Sequence, residues 1–218
     1  MAMYAGAASL YLVLWWRFRQ QLDMVLMVLL TVCGIWTKRE GTTIALLLLS
    51  AFFLGEMLHR GLSNRERALN VLQGSLTAVL PLSPWFLVLG LTHPSGGDFF
   101  PVTIPVFVTH ISRFPHILLY VALHMLNVTT WGLFWLVLTA VVVLALRRGS
   151  RISYGLLLLL AGQLGAYALC FVFSYWKPYT THIETSLDRL LVQALPLAII
   201  VTVDGLHMLV APRSQIDS

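Results

Sequence analysis

The feature that most constrains this chain is the recurrence of leucine-rich apolar runs, none of which alternates with a period of two. Runs at residues 2–16, 24–37, 42–58, 71–92, 128–146, 154–175 and 190–210 approach the roughly 20 residues that carry a helix across about 30 Å of hydrocarbon. In lipid the backbone must satisfy its own amides and carbonyls, so only helices and closed barrels span, and the missing alternation selects helix. Composition agrees: 58% hydrophobic and 11% charged residues over 218 positions, with a mean hydropathy of +0.83, cannot clothe a molecule in water, where about a quarter of residues are charged. The expectation is an all-α, polytopic transmembrane helical bundle of about seven spans, organised as a single transmembrane domain without internal repeats. The second and third runs are short for a full crossing. Lys38-Arg39-Glu40-Gly41 between them makes either a tight hairpin or a break in one helix.

Charge placement orients the bundle. The 14 Lys and Arg against 9 Asp and Glu leave a net charge of +5, but the cations flank apolar runs and build no soluble basic face, which argues against nucleic acid as a partner. With spans on alternating sides, one set of ends holds nine cations (Arg17, Arg19, Arg60, Arg65, Arg67, Arg147, Arg148, Arg151, Arg213) and the other five (Lys38, Arg39, Arg113, Lys177, Arg189). Retained Lys and Arg mark the cytoplasmic side, so the richer set faces inward. The N-terminus then lies outside, the C-terminus inside, and residues 93–127 and 176–189 face outward. No charged segment precedes the first apolar run, whose first cation is Arg17; the chain reads as the C-terminal portion of a larger protein. Cys33 and Cys170 sit inside apolar runs without metal-ligand spacing and are expected to pack, with no disulfide, metal or cofactor implied.

The outward stretch 93–127 carries Pro94, Pro101, Pro105 and Pro115, a Ser95-Gly96-Gly97-Asp98 turn and Phe99-Phe100. Within this extracytoplasmic loop, Ile111, Phe114, Leu118, Val121 and Met125 recur at helical intervals beside Arg113, His116 and His124, the pattern of an interfacial helix. Asn127-Val128-Thr129 fits a glycosylation sequon, but it adjoins a span and the motif is common by chance.

Outward charges are the informative ones, because the positive-inside rule disfavours them and a charge at the bilayer centre costs about 2.5–3.5 kcal/mol. Lys38 and Arg39 are adjacent cations suited to a phosphate oxyanion; the alternative is that Glu40 pairs with one of them to stabilise a hairpin. The segment from Trp176 to Arg189 mixes aromatics, hydroxyls and both charge signs, so His182 and Arg189 are candidates for holding a sugar or a head group. Glu184 and Asp188 are four apart, share a helix face and are candidates for acid–base work. The competing reading is a capped helix start with Thr185 or Ser186 as N-cap. Asp204, inside the last run, reads as a structural pair near the cytoplasmic end. Glu56, His59 and Arg60 read as the solvated end of a span.

Thr37-Lys38-Arg39-Glu40-Gly41, Thr185-Ser186-Leu187-Asp188-Arg189-Leu190-Leu191-Val192-Gln193 leading into Pro196, and the opening Met1–Gly6 through Trp16-Arg17 together resemble the membrane region of bacterial GT-C glycosyltransferases, the group similar to protein O-mannosyltransferases and aminoarabinose transferases. The resemblance implies sugar transfer from a polyprenyl-phosphate carrier outside the cytoplasmic membrane, usually with inversion, and makes Lys38 and Arg39 ligands of the lipid phosphate. A cation there would stabilise the departing phosphate. The family's acidic catalytic residue lies in a first extracytoplasmic loop upstream of everything matched, so no catalytic base carries over; Glu184 and Asp188 are the substitutes at hand. A non-enzymatic lipid-linked-sugar flippase and a membrane scaffold subunit are the other classes; polar groups lining the spans at mid-depth would favour the first, but Gln73, Gln163 and Asp204 are too few.

Overall fold

A computed structural model describes residues 1–37, 41–59, 61–92, 99–147 and 151–210, and over them the chain is helical with one isolated antiparallel bridge between Phe99 and Ser174. The contacts divide it into two compact units, Met1–Pro94 with Leu195–Leu197, and Ser95–Ala194 with Ala198–Ser218. Four stretches among the described residues are long and apolar enough to cross a membrane: Gly41–Leu58, Ile104–Met125, Tyr154–Val172 and Tyr179–His207.

In the first unit, α1 (Ala2–Phe18), α2 (Gln21–Thr37), α3 (Gly41–Leu58) and α4 (Asn64–Thr92) pack side against side. Arg19 closes α1 in the left-handed conformation (φ 56°, ψ 28°), its amide bonding the Trp15 carbonyl, so α2 begins only two residues later. The Ser63 hydroxyl accepts from the Glu66 amide at 3.3 Å while Glu66 Oε2 accepts from the Ser63 amide and hydroxyl at 2.8 and 2.7 Å. This reciprocal box starts α4. Trp15, Leu12, Met24, Met27, Leu48 and Phe52 form the core. The α2–α3 approach explains the glycine of the Lys-Arg-Glu-Gly motif: a Cβ on Gly41 would stand 2.2 Å from the Gly34 carbonyl oxygen. Lys38, Arg39 and Glu40 fall between α2 and α3 and lie outside the described residues.

The second unit holds α5 (Ile104–His110), a 3-10 turn (Ile111–Arg113), α6 (Phe114–Met125), α7 (Val128–Trp131), α8 (Phe134–Leu146), α9 (Arg151–Val172) and α10 (Tyr179–Val210). Periodicity anticipates a helix over 111–125, but the buried stripe is Ile117 and Val121, and Leu118 is exposed. Both ends of the run 113–147 are fixed against α9. Arg113 donates to the carbonyl of Ser174, just past the C-terminal end of α9, at 3.0 Å, and the Tyr154 hydroxyl, in its first turn, donates to the Leu146 carbonyl at 3.2 Å. α6 and α8 both pack on α9. At 1.5 Å per residue α6 and α8 are about 18 and 20 Å long, against about 33 Å for α9. The chain therefore travels the length of α9 in two pieces, broken at 126–133 where the expected span 128–146 is continuous. Gly132 takes φ 57°, ψ −139° at the break, and Asn127 caps α7 by accepting from the Thr129 amide at 3.1 Å. α10 starts at Tyr179, eleven residues before the expected 190; Thr185 bonds the carbonyls of Thr181 and His182 inside the helix and caps nothing.

Candidate functional site

One candidate site lies in the second unit where α9 hands over to α10. Ser174 is fully buried, and its hydroxyl meets His182 Nδ1 at 2.8 Å. Aromatic rings enclose the imidazole: Trp176 stacks on it at 4.9 Å, Phe99 lies at 5.0 Å and Phe171 meets it edge-on at 5.5 Å. Arg113 reaches the same turn, with its guanidinium 5.0 Å over the Tyr179 ring. The enclosure makes His182 the organiser of this turn, while Phe99, Tyr175 and Trp176 keep exposed faces around it. Aromatic faces beside Arg113 and the exposed Lys177 suit a ring-shaped polar molecule with an anionic substituent.

Nine residues into α10, Asp188 Oδ1 meets His124 Nε2 of α6 at 2.5 Å. Of the two expected carboxylates, Asp188 thus contacts an imidazole, while Glu184 and Arg189 are exposed on the same helix. A carboxylate that orients an imidazole can hold or pass a proton. Further from the turn along α9 and α10, the Gln163 amide donates to the Tyr167 hydroxyl at 2.8 Å and to the Gln193 carbonyl at 3.3 Å, and Tyr167 donates to Gln193 Oε1 at 3.2 Å. Such a network stabilises buried amides that would be costly unbonded.

The first unit contains a knot that the sequence conceals. Glu56, expected at a solvated end, is fully buried. Its Oε1 accepts from the Trp15 indole at 2.8 Å and pairs with the Arg19 guanidinium, and its Oε2 accepts from Asn70 Nδ2 at 2.8 Å. Gln21 in turn donates to Asn70 Oδ1 at 3.5 Å. The Arg19 side chain lies 5.2 Å over Trp15, so the left-handed cap that ends α1 also delivers the cation. Beside the knot His59 is exposed, and its pKa is lowered, first by partial desolvation and then by the Arg19 charge. Ser63's hydrogen bonds hold the Glu66 carboxyl below the usual range.

Among the described residues no group of three or more His, Cys, Asp or Glu converges as a metal site. Neither Cys33 nor Cys170 is in a disulfide, and Cys33 is exposed. Of the residues singled out from sequence, His182 and Asp188 are brought into specific contacts, while Lys38, Arg39 and Glu40 lie outside the described residues. Arg113, His124, Ser174 and Arg19 were not singled out as site residues, because their partners are 37–64 residues away or lie in a turn that periodicity does not define. No protein-family model, curated protein or solved structure matches this chain. The fold and site define a helical protein with several helices fit to cross a membrane.

Proposed function

We propose that this chain is the membrane region of an inverting glycosyltransferase that takes a sugar from a polyprenyl-phosphate carrier at the extracytoplasmic face of the cytoplasmic membrane. What supports the reading, beside the two short motifs, is a pair of arrangements in the second unit: exposed aromatic faces with Arg113 at the turn from α9 to α10, and the His124–Asp188 pair about 14 Å further along α10. Aromatic faces suit a sugar ring, a guanidinium suits a phosphate, and an imidazole held by a carboxylate suits proton acceptance.

In this reading there are seven crossings: α1 to α4, the broken pass of α6 and α8, and then α9 and α10. Ile104–Met125 adds none, because Phe107 stacks at 6.1 Å on Phe173 and Arg113 bonds Ser174, which keeps both at one end of α9. The nine-to-five distribution of cations then puts residues 38–40, 99–113 and 173–189 outside. Lys38 and Arg39 hold the carrier phosphate and stabilise it as the bond from sugar C1 to phosphate oxygen breaks. The acceptor oxygen attacks C1 from the opposite face and gives up its proton; within the second unit the His124–Asp188 pair has the chemistry to accept one.

In membranes containing the full reading frame, Lys38→Ala, Arg39→Ala and Asp188→Asn should each lower transfer from a labelled polyprenyl-phosphate sugar by at least tenfold, consistent with general acid–base and oxyanion effects of about 10²–10³. Unchanged rates in all three would contradict the assignment. A second reading, a flippase for the same carrier, is favoured by the buried Gln163–Tyr167–Gln193 network and the broken pass, since interrupted helices and polar groups at depth serve transport. The product separates them: label in covalent linkage to an acceptor marks transfer, label that changes side while still on its carrier marks transport.

A further inference from the structure

A groove of about 500 Å³ runs along α4 in the first unit, lined by Gln21, Glu66, Asn70, Gln73, Thr77 and the leucines at 69, 72, 76 and 80. Its volume falls within the range of about 300–1,000 Å³ usual for small-molecule sites. Fourteen residues separate its ends, about 21 Å of helix. The lining is graded. Glu66, Asn70, Gln73 and, from α2, Gln21 crowd the end near the α4 N-terminus, and Leu76 and Leu80 form the other.

Two observations say what fits. Glu66 is held ionised by the Ser63 hydroxyl and amide, which bond one of its oxygens and leave the other to a ligand. Arg65 is exposed and lies one turn before Leu69 on the rim, so opposite charges sit side by side at the polar end.

We infer that this groove binds a bilayer phospholipid with a primary-ammonium head group, its ammonium on Glu66, its phosphate beside Arg65, and one acyl chain along Leu72, Leu76 and Leu80. The site rests on α4 being membrane-embedded and is independent of sugar transfer. Glu66→Gln is the informative variant, because glutamine keeps the reciprocal box with Ser63 and removes only the charge.

The test is native mass spectrometry of the full chain released from nanodiscs with equal mole fractions of phosphatidylethanolamine, phosphatidylglycerol and phosphatidylcholine. The wild type should retain phosphatidylethanolamine at least fivefold over each of the others. Glu66→Gln should abolish that preference, and Leu76→Trp, which fills the apolar half, should remove the retained lipid. Equal retention of the three lipids by the wild type would overturn the inference, as would a phosphatidylethanolamine preference that survives Glu66→Gln. Because the readout is lipid retention, its failure would leave the transfer assay untouched, and a failed transfer assay would leave it standing.

Discussion

At the residue scale, the Glu56 knot is the most constrained feature of the first unit. A fully buried carboxylate with three partners is tolerated because each oxygen is bonded, and removing one member of such a pair costs about 3–5 kcal/mol. Arg19 is partly exposed, which moves the expectation to the low end. Glu56→Ala should therefore lose about 3 kcal/mol in detergent unfolding, and a loss below about 1 kcal/mol, the range of surface pairs, would contradict the account. His59 gives the pH dependence. Its folded pKa lies below the ordinary value of 6.5, so the unfolded chain binds the proton more readily. Stability from this group is complete above that ordinary value and is lost as pH falls from there through the folded value. His59→Gln should flatten the pH dependence of the unfolding midpoint between about pH 7 and 5; an unchanged slope would refute the assignment. Residues at this scale were the least legible in sequence. Glu56 and Arg19 are 37 positions apart, and His124 and Asp188 are 64; nothing local announces either pair.

At the element scale, legibility followed hydrophobic contrast. The expected runs at 2–16, 24–37 and 42–58 match Ala2–Phe18, Gln21–Thr37 and Gly41–Leu58 closely, because apolar side chains end where the helices end. α10 was foreseen only from 190 because its first turns are polar, and hydroxyls such as Thr185 that favour caps also bond carbonyls one turn back inside a helix. The break at 126–133 was hidden for the opposite reason: Val128 to Leu146 carries no charged residue and no proline, and only Gly132 carries the signal. Its φ of 57° with ψ −139° is a conformation that side chains with a Cβ resist, at about 1–3 kcal/mol. Nothing lies within 4 Å of a Cβ built at that position, so the cost is backbone strain and not a clash. Gly132→Ala should lower the unfolding free energy by about 1–3 kcal/mol, and a variant as stable as the wild type would argue against a broken pass.

At the scale of the whole molecule, the class was written in composition, since 58% hydrophobic residues leave few ways to fold except in lipid. The proposed activity depends instead on where a few charges stand relative to the membrane. The side count rests on nine cations against five, a bias that labelling can check directly. With Cys33 and Cys170 replaced by serine, Arg39→Cys and Arg148→Cys should be probed in intact cells with a membrane-impermeant maleimide. The account predicts that position 39 reacts in intact cells and position 148 only after permeabilisation. Position 39 reacting only after permeabilisation would put Lys38 and Arg39 in the cytoplasm and contradict the proposed sugar transfer at the outer face.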